Sequence, residues 1–71
     1  MKTNITLDKS DLNNMYDVIV EALNIEPTDE QIIEFFYELP DHIKGLAVQW
    51  GTSDTVFRDD MFVWLKENKT K

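Results

Sequence analysis

The chain has 71 residues, no cysteine, one histidine and a formal net charge of −7. One short domain is all that length allows, and the missing thiols exclude both disulfide staples and thiolate metal sites. The carboxylate excess repels phosphate backbones, so the composition argues against direct nucleic-acid binding.

A domain of this size buries only about 60% of its unfolded surface. Its core must come from apolar packing, and eight aromatics make that feasible: Tyr16, Phe35, Phe36, Tyr37, Trp50, Phe57, Phe62 and Trp64. Each can bury about 150–250 Å². Self-association would add burial and stays open as an alternative. No window approaches the roughly 18 apolar residues of a membrane span, and the first residues carry no signal-like apolar stretch. The expectation is a cytoplasmic single domain over 1–71, with 1–8 and 68–71 as flexible ends.

In chain order, four helices are predicted. The first spans about 10–24, with Ser10 as N-cap, Asp11 favourable in the first turn and Asn24 as the stop. Leu12, Met15, Tyr16, Ile19, Ala22 and Leu23 form its apolar stripe, opposite Asn13, Asp17 and Glu21. The second spans about 28–39. Thr28 and Gln31 fit a capping box, Ile32, Phe35, Phe36 and Leu39 share a face, and Pro40 ends it. The third spans about 41–50, with Ile43, Leu46, Ala47 and Trp50 expected inside and Gly51 as a left-handed C-cap. The fourth spans about 53–67, capped by Thr52 or Ser53, with Phe57, Met61, Trp64 and Leu65 inward. No sustained two-residue alternation and no hairpin turn occurs. The fold class is all-α, a compact bundle of four short helices.

From Ile43 to Phe57 the chain resembles a helix-turn-helix unit. Ala47 supplies the small residue where two helices touch, Gly51 the turn glycine, and Leu46, Trp50 and Phe57 the flanking apolar positions. Such a unit reads DNA through the exposed start of its second helix. Here that start offers Arg58 against Asp54, Asp59 and Asp60, a poor match to phosphate. The alternative of a DNA-binding regulator would rest on Thr55, Arg58 and Asp59.

Charge is unevenly distributed. From Asp11 to Ile43 there are nine carboxylates and no Lys or Arg, whereas from Lys44 onward five basic residues face four acidic ones. Glu30, Glu34 and Glu38 recur every four residues and line one helix face; Asp17 and Glu21 do the same on the first helix. Like charges at this spacing repel by about 0.2–0.5 kcal/mol per pair. The stripe reads either as a solvated face or as a docking face for a basic protein surface. Tyr37 and Phe62, at the margins of their stripes, are the candidate apolar anchors.

Chemistry for catalysis is sparse. His42 is the lone histidine, the only serines are Ser10 and Ser53, and both serines suit helix caps. No calcium loop, glycine-rich phosphate loop or zinc ligand set is present, so neither an enzyme nor a cofactor is expected. The short acidic helical body without cysteine, together with the turn Trp50-Gly51-Thr52-Ser53-Asp54-Thr55, resembles the small accessory proteins of tailed bacteriophages. That resemblance implies a protein that binds and redirects a host protein, sometimes a defence enzyme. The expected function is a non-enzymatic binding module or inhibitor.

Overall fold

The computed structural model describes residues 7–70, which form four α-helices and no strand. These are α1 (Lys9–Leu23), α2 (Asp29–Glu38), α3 (Asp41–Trp50) and α4 (Thr55–Lys69). Of the expected flexible ends, 1–6 and 71 lie outside the described residues. Asp8 is the ordered cap of α1, and 68–69 complete the last turn of α4.

Local chemistry accounts for most of the helix ends. Thr28 and Gln31 form the expected capping box, with the hydroxyl accepting from the Gln31 N–H at 3.2 Å and the amide oxygen accepting from the Thr28 N–H at 2.9 Å. Asn24 stops α1 in the left-handed conformation (φ 57, ψ 42), its N–H donating to the Val20 carbonyl at 2.8 Å. Pro40 closes α2 by holding Leu39 extended.

Two caps differ from expectation. Asp8, not Ser10, caps α1: its carboxylate accepts from the Asp11 N–H, and Asp11 returns the bond to the Asp8 N–H. A carboxylate competes better than a hydroxyl at the positive end of the helix dipole, so the start moves back. Asp54 outcompetes Thr52 and Ser53 at α4 in the same way, accepting from the Phe57 N–H at 3.1 Å.

Gly51 has the expected positive φ, but its ψ of 160 places it in an extended region open only to glycine rather than in the left-handed well. A Cβ there would meet nothing within 4 Å, so the backbone alone demands glycine. Gly45, in mid-α3, has equally open surroundings and ordinary helical φ. Gly45→Ala should therefore stabilise the fold by about 0.5–1 kcal/mol, while Gly51→Ala should cost about 1–3 kcal/mol. Urea melts of the two variants would contradict this backbone account if both midpoints moved in the same direction.

α1 and α4 are the central pair, with α2 packed on α1 and α3 on α4. Leu12, Met15, Val18, Ile19 and Ala22 meet Ile32, Phe36, Leu39, Ile43, Ala47, Phe57, Met61 and Leu65 in one core. Val18 lies outside the expected stripe yet is buried, because α1 is covered on two sides and needs a wider apolar arc. Tyr16, Leu23, Phe35, Leu46 and Trp64 of the expected stripes are half-buried at the edge of the core. Trp50 is the clear departure: its spacing from Ile43 and Ala47 predicts burial, yet it is 62% exposed. Its helical face is right, but α3 ends there and the turn takes Thr52 inward instead.

Candidate docking surface

The charged face is assembled from α1 and α2. Asp17 and Glu21 sit one turn apart on the outside of α1, and Glu30, Glu34 and Glu38 do so on α2; all five are exposed. Their electrostatic settings differ. Glu38 closes α2, where a carboxylate opposes the helix dipole, and the Lys69 ammonium of α4 forms an ion pair with it. It is a structural contact, not a free steering charge. Asp29 receives Lys9 at 3.9 Å, because α1 starts early enough to include that lysine, and Asp41 receives Lys44 at 3.7 Å. Asp17, Glu21, Glu30 and Glu34 have no ion pair among the described residues.

The two candidate anchors occupy different settings. Phe62 is half-buried and lines a hollow of about 260 Å³ between α1 and α4 with Val18, Glu21, Arg58 and Asp59. Lys66 stands 6.0 Å from its ring centre. Tyr37 is 41% exposed, packs edge-on against Phe36 with centroids 5.3 Å apart, and carries Lys44 5.9 Å above its ring. Lys44 also donates to the Tyr37 carbonyl at 3.3 Å. Each ring thus has a lysine near its face, at 5.9 Å for Tyr37 and 6.0 Å for Phe62, and Phe62 also shares its hollow with Glu21.

The α3–turn–α4 segment joins two contacting helices through four residues, with Ala47 buried. At the start of its second helix the exposed residues are Thr55, Val56 and Asp59. Arg58 is half-buried and donates through its guanidinium to the Asn14 carbonyl of α1. The one cation at the start of that helix is therefore spent inside the molecule.

Sequence reasoning missed a polar cluster that orients these elements. Thr52 is 2% exposed; its hydroxyl donates to Asp11 Oδ1 at 2.6 Å and accepts from Asn14 Nδ2 at 3.0 Å. With Arg58 it ties the start of α1 to the start of α4. The residue types (Asp11, Asn14, Thr52) gave no warning, since threonine next to glycine also suits a cap.

His42 is exposed in the first turn of α3, and Ser10 and Ser53 are exposed without capping either helix. Among the described residues, no group of three His, Asp or Glu side chains is placed to hold a metal, and no helix is long and apolar enough to cross a membrane. No protein-family model, curated protein or solved structure matches the chain.

Proposed function

We propose that the chain is a non-catalytic protein-binding module or inhibitor that docks its acidic first half on a basic surface of a partner protein. The observation that supports this reading is the set of four exposed carboxylates, Asp17, Glu21, Glu30 and Glu34, which no cation among the described residues neutralises. Among the described cations, Lys9 pairs with Asp29, Lys44 with Asp41 and Lys69 with Glu38, Arg58 donates to a backbone carbonyl, and Lys66 stands over the Phe62 ring. Unpaired charge of one sign raises the encounter rate with a surface of the opposite sign and selects against acidic partners. By the resemblance to phage accessory proteins, the partner would be a host nucleic-acid-handling or defence enzyme. The engagement of Arg58 weighs against the DNA-binding alternative.

The test begins with capture of a basic protein from a lysate of the native host, followed by titration of the purified pair. Reversing Asp17, Glu21, Glu30 and Glu34 to lysine should weaken binding about tenfold or more at low salt and much less at high salt. Affinity unchanged at low salt would refute the docking face. Glu38→Lys should instead lower folding stability, because it places a second cation against Lys69.

A further inference from the structure

The most exposed of the large apolar side chains lie outside the acidic half. Val48, Trp50, Val56 and Val63 are all more than half exposed, and all belong to α3 and α4. Val56 and Val63 are seven residues apart and so lie on the same face of α4, with the partly exposed Asp60 between them. Beside this row is a hollow of about 360 Å³ lined by His42 and Ile43 of α3 and by Asp60, Val63, Trp64 and Glu67 of α4. Its volume falls in the range of about 300–1,000 Å³ typical of ligand clefts. Asp60 and Glu67 lie about 10 Å apart along the helix axis, on either side of Val63 and Trp64 in sequence, and neither has an ion pair among the described residues.

We infer that this α3–α4 face is a second docking site, and that its occupant is an amphipathic basic helix of a partner protein. A large apolar side chain of that helix enters the hollow against Ile43, Val63 and Trp64. A lysine or arginine on each side of it, two helical turns apart, pairs with Asp60 and Glu67. The matching period follows from geometry, since a helix lying alongside α4 presents its own residues at the same seven-residue spacing. Charge complementarity selects this occupant over a second copy docked by the same face, which would set Asp60 and Glu67 against their own counterparts. The site shares no residue with the carboxylates of α1 and α2, so it stands or falls separately from the function proposed above.

The test uses the full chain and a defined probe: a synthetic helical peptide with a central leucine flanked by two lysines seven residues apart. Amide shift mapping should show saturable binding centred on Ile43, Asp60, Val63, Trp64 and Glu67. Glu67→Lys and Val63→Glu, both at exposed positions, should each weaken binding about tenfold. Reversal of Asp17 and Glu21 should leave it unchanged, and a peptide with glutamate in place of lysine should not bind. The inference is overturned by absence of saturable binding at millimolar peptide, by shifts centred on α1 and α2, or by equal binding of the glutamate peptide. It is also overturned if sedimentation shows a dimer that Val63→Glu dissociates, because a second copy would then cover the face.

Discussion

Replacing Phe57 by alanine should remove a large share of the stability of this domain. Phe57 is fully buried, and its ring lies 6.3 Å from that of Phe36, so it joins α4 to α2 across the core. Truncating a buried phenylalanine costs about 3–5 kcal/mol, the sum of lost transfer free energy and an unfilled cavity. A chain of this length has a folding free energy of about 4–11 kcal/mol in total. Phe57→Ala should therefore shift the urea midpoint far toward zero. Its immediate neighbour is the control: Val56 is 55% exposed, and Val56→Ala should change stability by no more than about 0.5 kcal/mol. Far-UV circular dichroism in urea measures both. A cost below about 1 kcal/mol for Phe57→Ala would contradict the placement of the core.

Thr52→Val should be the most damaging substitution among the polar residues. Valine keeps the shape of threonine, so packing around this buried position is preserved and the change isolates the hydroxyl. Two bonds are lost at once, the donation to Asp11 and the acceptance from Asn14. Asp11 is a charged acceptor, and a hydrogen bond to a charged group contributes about 1.5–3 kcal/mol. The loss should also spread, because the other oxygen of Asp11 accepts from the Asp8 N–H in the capping box of α1. Expected is a destabilisation of about 2–3 kcal/mol, with Thr52→Ser retaining most of the stability because it retains the hydroxyl. Equal stability of the valine variant and the parent would show that the cluster contributes nothing. A serine variant as weak as the valine one would assign the effect to the methyl group instead.

These two positions differ in how readable they were. Phe57 follows from helical period, since it shares a stripe with Met61 and Leu65, and all three are buried. Thr52 does not. A threonine after Gly51 suits an N-cap equally well, and only the position of α1 beside the turn gives its hydroxyl two partners 38 and 41 residues away. The same limit explains Trp50. Periodicity assigns a residue to a face of its helix, but not whether the neighbouring helix extends that far. Tyr37 and Phe62 were legible as marginal positions, but not the company each keeps: Lys44 for one, Glu21 and Asp59 for the other.

The sequence by itself determined the four helices and most of their ends, because caps, stops and apolar stripes act within about one turn of the chain. It also determined that the excess charge lies in the first half, a matter of composition. Only the tertiary structure decided which carboxylates remain unpaired. Lys69 reaches Glu38, and Lys9 reaches Asp29, because the fold brings their helices together. Arg58 turns onto α1 because Asn14 presents its carbonyl there. Ion pairing between distant residues depends on approach to within about 4 Å, and no local pattern along the chain encodes that.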